Sequence, residues 1–95
     1  MFMEKRTDKT KNIEYSKRFL KSLKKLSDEV IGQAEEKEKI FKNNPFDLQL
    51  KTHKLSGREK EIWAFRINYK YRIKFIFLNN NEVLFLDIGT HEFYK

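Results

Sequence analysis

The sequence predicts a small α+β domain in which a hairpin of two helices packs on one face of a largely antiparallel sheet. Three observations lead to this prediction: 95 residues suffice for one core, apolar residues recur with a helical period in the first half, and they alternate with polar residues in the second half. The predicted order is β-α-α-β-β-β-β, with the last four strands in a meander. Hydrophobic residues make up 39% of the chain and nine residues are Phe, so a packed core can form.

The first strand and the first helix are predicted within residues 12–26. Residues 1–11 are polar and show no periodicity, so we expect a flexible tail followed by a single domain over 12–95. The segment "NIEY", Asn12–Tyr15, alternates polar and apolar residues as a strand does. Ser16 can cap the following helix, whose apolar residues recur at helical intervals. These apolar residues are Phe19, Leu20, Leu23 and Leu26.

A second helix is predicted from Asp28 to Asn43. Ser27 offers a cap, and acidic residues in the first turn suit the positive end of the helix dipole. Asn44-Pro45 ends the helix, because the residue before Pro avoids the helical conformation. The short break between the two helices predicts an antiparallel hairpin. The apolar face of the second helix consists of Val30, Ala34, Ile40 and Phe41.

Four further strands are predicted in the second half of the chain. Their residues alternate in character, and the polar segments "SGREKE" and "NNNE" separate them as a loop and a turn. The last strand contains "VLFLDI", a near-continuous apolar run that predicts burial on both faces. The four predicted strands are Leu50–Leu55, Ile62–Asn68, Tyr71–Leu78 and Glu82–Gly89.

The composition excludes several classes of protein. There is no Cys, so the chain has no disulfide and no thiolate metal site or nucleophile, and a reducing cytoplasm is the expected compartment. No apolar run approaches the roughly 18 residues of a membrane span, and the amino-terminal segment lacks the apolar core of a signal peptide. The formal net charge of +7 favours an acidic partner such as nucleic acid or an acidic protein.

Most of the excess positive charge lies between Lys51 and Lys74, where eight cations stand against two carboxylates. If the strands around a turn at residues 68–70 pair directly, Arg66 and Arg72 become cross-strand neighbours on the face opposite the core. Like charges in that position cost stability, which an anionic ligand between them would offset. Two alternatives are that the arginines are solvated or that Asp87 neutralises them. The core face would then contain Trp63, Phe65, Ile67, Tyr71, Ile73 and Phe75.

Four segments, in order and spacing, resemble the RelE/ParE toxin superfamily, in particular its YafQ-like and RelE-like messenger RNA interferases. They are "FxxSLKKL", "NNPFDLQLKTHKLSG", "WAFRINYKYRIKF" and "LFLDIGTHEFY", and the resemblance extends from Asn12 to Tyr94. It implies a toxin that an acidic antitoxin holds inactive, that is monomeric when free, and that cleaves messenger RNA in the ribosomal A site. It implies neither a metal nor another cofactor. The fold of the superfamily agrees with the element order predicted above.

The resemblance also implies roles for individual residues. Metal-independent RNA cleavage needs a base for the ribose 2′-hydroxyl, cations for the charged phosphorane and an acid for the leaving 5′-oxygen. His53 and His91 match acid/base positions, while Arg66 and Arg72 match the residues that hold and polarise the scissile phosphate. Tyr94 matches an aromatic residue that stacks on a base or takes part in proton transfer.

Other residues are expected to bind rather than to react. Tyr69 and Phe93 are candidates for stacking on RNA bases, with Phe93 and Tyr94 as alternatives for one stacking role. The remaining cations are expected to contact RNA backbone or antitoxin carboxylates, or to be solvated. They are Lys51, Lys54, Arg58, Lys60 and Lys74. Two other functions stay open: a ParE-like toxin that poisons DNA gyrase, and a degenerate member that only binds antitoxin.

Overall fold

The computed structural model of the chain describes residues 12–55 and 61–90. The predicted tail lies outside these ranges, and so do five residues to which the sequence assigned roles. These five are Arg58, Lys60, His91, Phe93 and Tyr94.

Two helices and five strands form in the predicted order. The strands make one sheet in the order β1-β5-β4-β3-β2; β1 is parallel to β5, and every other pair is antiparallel. The predicted α+β class and the meander of the last four strands are therefore confirmed. The elements are β1 Asn12–Tyr15, α1 Lys17–Lys24, α2 Asp28–Asn43, β2 His53–Lys54, β3 Trp63–Arg66, β4 Tyr71–Phe77 and β5 Glu82–Thr90.

Both helices begin at the predicted serine caps. The Ser16 Oγ accepts a hydrogen bond from the Phe19 backbone N–H at 2.9 Å, and the Ser27 Oγ accepts one from Val30 at 3.2 Å. Phe19 of α1 turns inward and is buried, whereas Leu20 beside it is 44% exposed. This exposure places an apolar residue on the outer side of α1.

The segment "LKTHKL" differs from its prediction. Only His53–Lys54 is extended, whereas Leu48–Leu50 forms a 3-10 turn in which the Asp47 carboxylate accepts from the Gln49 N–H at 2.9 Å. Lys51 follows in the left-handed conformation, with φ of 50°, and a strand cannot pass through that conformation. The strand at this edge of the sheet is therefore short.

The prediction that β5 is buried on both faces is also wrong. Val83 and Phe85 point into the core and are buried, but Leu84 between them is partly exposed. The helices cover one face of β5, and the apolar run extends onto an outer face that no described helix covers. Thus the sheet has a packed inner face and an accessible outer face.

Phe41 of α2 lies at the centre of the core. Its ring is stacked on Phe65 at 4.8 Å between centroids and meets Phe75 and Phe85 edge-on at 5.0 and 5.5 Å. All four rings are at most 1% exposed. Aromatic pairs of this geometry add to the stabilisation that burial gives, so α2 is fixed against β3, β4 and β5. Within residues 12–55 and 61–90, no helix is both long and apolar enough to cross a membrane.

Candidate functional site

The predicted register of the β3–β4 hairpin is confirmed. Trp63 lies opposite Phe75, Phe65 opposite Ile73, and Arg66 opposite Arg72. Because side chains alternate across a strand, the two arginines point to the outer face while Phe65 points to the core. The arginines are thus direct cross-strand neighbours on the accessible side of the sheet.

Two more of the predicted residues lie on the same outer face. His53 of β2 pairs with Ala64 of β3, which pairs in turn with Lys74 of β4. Residues paired in this way share a face, and Ala64 and Lys74 each stand two positions from an arginine. The sheet therefore brings His53, Arg66, Arg72 and Lys74 together, and we call these four residues the cationic face.

The two arginines of the cationic face are held by one backbone carbonyl. The Arg66 Nε donates to the Asn68 carbonyl at 3.3 Å, and an Arg72 Nη donates to the same oxygen at 3.0 Å and to the Tyr71 carbonyl at 3.2 Å. Among the residues that the structure describes, neither arginine forms an ion pair with a carboxylate. Their remaining N–H donors are suited to an anion.

Asp87, considered above as a possible neutralising group, is engaged elsewhere. It accepts a hydrogen bond from the Ser22 hydroxyl at 2.6 Å and forms an ion pair with Arg18 at 3.3 Å, both on α1. The alternative that Asp87 neutralises Arg66 and Arg72 is therefore wrong. Solvation of the two arginines in the free protein remains the alternative to anion binding.

The side chain of Asn68 fixes the turn that holds the arginines. Its Oδ1 accepts from the backbone N–H groups of Lys70 and Tyr71, both at 2.8 Å, and its Nδ2 donates to the Gln33 side chain of α2 at 2.7 Å. Lys37 of α2 also donates to the Ile67 carbonyl at 3.2 Å. This role of Asn68 and Gln33 was not among the predictions from the sequence. An Asn within a predicted turn is a signal for the two local bonds, but no signal indicates the contact with α2.

His53 is exposed, and one of its contacts indicates the ring tautomer. Its Nδ1 lies 3.0 Å from the Lys51 carbonyl oxygen. A carbonyl only accepts, so Nδ1 carries the hydrogen, and the neutral ring then has its lone pair on Nε2. This tautomer is the one a base needs if it accepts a proton at Nε2.

The other predicted binding residues are more dispersed. Tyr69 is 80% exposed at the tip of the β3–β4 hairpin, and Lys51 is exposed just before β2. Lys54 pairs with Trp63 and so points away from the cationic face; it forms an exposed ion pair with Glu61 at 3.4 Å. An exposed pair of this kind contributes little stability. The structure does not bring Lys54 into the group around the arginines.

Comparisons with known proteins place the fold. The sequence matches no protein-family model and no curated protein, but solved structures match over most of the chain. A chain of the archaeal RelE–RelB complex from Pyrococcus horikoshii OT3 matches with a TM-score of 0.69 and 18% identity, over 85% of this chain and 94% of that one. This protein has a RelE-like fold.

Two further structures agree with the RelE-like fold. A chain of the DinJ–YafQ toxin–antitoxin complex from E. coli matches with a TM-score of 0.71 and 21% identity, over 87% of this chain and 94% of that one. The YoeB dimer from Staphylococcus aureus matches with a TM-score of 0.71 and 19% identity, over 85% of this chain and 97% of that one. The predicted resemblance is thereby confirmed at the level of the fold. Among the described residues of the RelE-like domain, no three His, Asp or Glu residues cluster as metal ligands would.

Proposed function

We propose that this chain is the toxin of a type II toxin–antitoxin pair and that it cleaves messenger RNA on the ribosome. The main support is the pair formed by Arg66 and Arg72. These side chains lie opposite each other on the accessible face and share one backbone acceptor, and within the described residues neither has a carboxylate partner. Guanidinium groups arranged in this way are suited to bind a phosphate between them.

In the proposed reaction the arginines bind the scissile phosphate and stabilise the charge that develops on its oxygens. His53 accepts the ribose 2′-hydroxyl proton at Nε2, and the 2′-oxygen then attacks phosphorus. The bond from phosphorus to the 5′-oxygen breaks, the leaving oxygen takes a proton from His91, and a 2′,3′-cyclic phosphate remains. We assign base stacking to Tyr94 or Phe93. The tautomer of His53 supports its part; His91, Phe93 and Tyr94 enter through the resemblance alone.

The proposed partners are an acidic antitoxin and the ribosome with its messenger RNA. RelE and YafQ are named in complexes with RelB and DinJ in the solved structures. A net charge of +7 and an accessible cationic face would attract the carboxylates of such an antitoxin, which would then compete with RNA for the arginines. We propose the cytoplasm as the compartment and the toxin–antitoxin complex as the stable form.

Primer extension on a defined message in a cell-free translation reaction tests the proposed function. Wild-type protein should cut the message within codons, and Arg72→Ala and His91→Ala should abolish the cuts. Lys42→Ala is a suitable control, because Lys42 is exposed on α2, behind the core from the cationic face. An intact message with undisturbed translation would refute the nuclease and favour the gyrase-poisoning or antitoxin-binding functions. Cuts that persist in Arg72→Ala would refute the assigned site.

A further inference from the structure

A second concentration of positive charge lies on α1 and the residue after it. Residues 17–25 include five cations and no carboxylate, and they line an open groove of about 760 Å³. In the part of the chain that the structure describes, Asp87 is the only carboxylate that lines this groove. We call it the α1 groove; its lining residues are Lys17, Arg18, Leu20, Lys21, Ser22, Lys24, Lys25 and Asp87.

Three of the lysines form a row along the helix. Lys17, Lys21 and Lys24 are separated by four and three residues, so they lie on one side of α1 and span about 10 Å along its axis. Phe19 and Leu23 on the other side pack into the core. The row is therefore held in place by the burial of the opposite side of the helix.

The cations at the start of α1 are unfavourable for the isolated helix, whereas Lys21 and Lys24 lie in its last turn and suit the dipole. The first turn of α1 contains Lys17 and Arg18 and no acidic residue, although the amino end of a helix dipole is positive. In α2 the charges follow the dipole, with Asp28 and Glu29 in the first turn and Lys42 in the last. Arg18 has Asp87 as an ion-pair partner, so Lys17 is the first-turn cation whose position suits an external contact better than the stability of the helix.

The α1 groove adjoins the strand that borders the cationic face. The pairing of β1 with β5 ends at Tyr15 and Phe85, and beyond this point Ser16 donates to the Leu86 carbonyl at 2.9 Å. Asp87 then contacts α1 through Arg18 and Ser22, and in the sheet it pairs with Lys74 of the cationic face. Asp87 is thus shared between the two basic regions.

We propose that the α1 groove binds the phosphate backbone of RNA, as a second contact beside the one at the arginines. The choice of RNA rests on the proposed function. The groove offers cations at regular spacing but one apolar residue, Leu20, among its lining residues, and an amphipathic protein segment would need more apolar contacts. An electrostatic contact of this kind adds affinity without sequence preference.

The test measures binding of a fluorescent 2′-O-methyl RNA of about 12 nucleotides by anisotropy over a range of salt concentrations. Such RNA lacks the free 2′-hydroxyl needed for cleavage, so a failure of the proposed reaction would not affect this result. The variant is Lys21→Gln/Lys24→Gln, and the matched control is Lys39→Gln/Lys42→Gln on α2. Both pairs are exposed and separated by three residues, and each double substitution lowers the formal net charge from +7 to +5.

If the α1 groove binds phosphates, the α1 variant binds more weakly than the control. The negative slope of log K against log salt concentration should then become shallower by about 1.4, because each phosphate contact on single-stranded RNA contributes about 0.7 and the variant loses two. Equal effects of the two variants would show that only overall charge matters and would overturn the proposal. If the α1 variant lost affinity for a polyglutamate peptide but not for RNA, the proposal would also be overturned, and the groove would be assigned to an acidic protein.

Discussion

Replacing Asn68 tests whether the turn between β3 and β4 positions the two arginines. Asn68→Ala removes two hydrogen bonds to backbone N–H groups and one to Gln33, while the carbonyl that Arg66 and Arg72 share remains. Hydrogen bonds contribute roughly 0.5–1.5 kcal/mol each, and water can replace part of them at this exposed turn, so we expect a loss of about 2 kcal/mol. For a domain of this size that lowers Tm by about 8–16 °C.

Asn79 provides a matched control in the β4–β5 turn. Its Oδ1 accepts from the backbone N–H groups of Asn81 and Glu82 at 2.9 and 3.0 Å, and its Nδ2 donates to the Glu82 carboxylate at 2.9 Å. Asn79→Ala thus removes the same number of hydrogen bonds, including the same two kinds of bond to backbone N–H groups, from a turn that holds no arginine. The two variants should lose similar stability in thermal unfolding followed by circular dichroism.

Only Asn68→Ala should lose cleavage activity. A misplacement of the arginines by about 1 Å can reduce the rate of the chemical step by about 10²-fold. Cleavage is measured in the cell-free reaction at a temperature where both variants are folded. The positioning role of Asn68 would be refuted if the two variants cleaved the message equally well, whether both kept full activity or both lost it to the same extent.

Three further predictions concern other parts of the molecule. Lys17→Glu should stabilise the protein by about 0.3–1 kcal/mol in urea unfolding, because it places a carboxylate at the positive end of α1. The same substitution should weaken RNA binding. A loss of stability would contradict the dipole argument. Burial, and then the hydrogen bond and charge of Glu38, raise the pKa of Tyr15 above its ordinary value of 10.0. The stability that the neutral phenol provides is fully present below pH 10.0 and is lost progressively as the pH rises from there towards the raised pKa of the folded state. Tyr15→Phe should therefore show a smaller decline in stability above about pH 10. Phe41→Ala should lower the free energy of unfolding in urea by about 3–5 kcal/mol, because it leaves a cavity among three rings. A decrease below about 1 kcal/mol would show that the core can collapse around the cavity.

Local patterns in the sequence are sufficient to predict most of the fold. Serine caps at Ser16 and Ser27 define where the helices begin, and the turn at residues 68–70 sets the register of the hairpin. Errors arise where one residue changes the backbone, as at Lys51, or where burial depends on a neighbouring layer, as at Leu84. Neither effect changes the spacing of apolar and polar residues from which helices and strands are predicted.

The candidate site is predictable in part for the same reason. The arginines follow from strand alternation, since the face opposite an apolar face must point outward. The contact between Asn68 and Gln33 joins residues 35 positions apart, and the ion pair between Arg18 and Asp87 joins a helix to the last strand. Contacts of this range depend on how the layers pack, so only the structure reveals them.

Two electrostatic costs in this molecule have one common explanation. Arg66 and Arg72 repel each other across adjacent strands, and the cations in the first turn of α1 oppose the helix dipole. Both occur on accessible surfaces that approach each other at Asp87, whereas α2, whose inner side packs against the core, has charges that complement its dipole. In the isolated protein neither repulsion brings a compensating gain from an anion. A polyanion that contacts both regions would offset both costs at once, so the two proposed contacts, at the hairpin and at α1, are consistent with one partner.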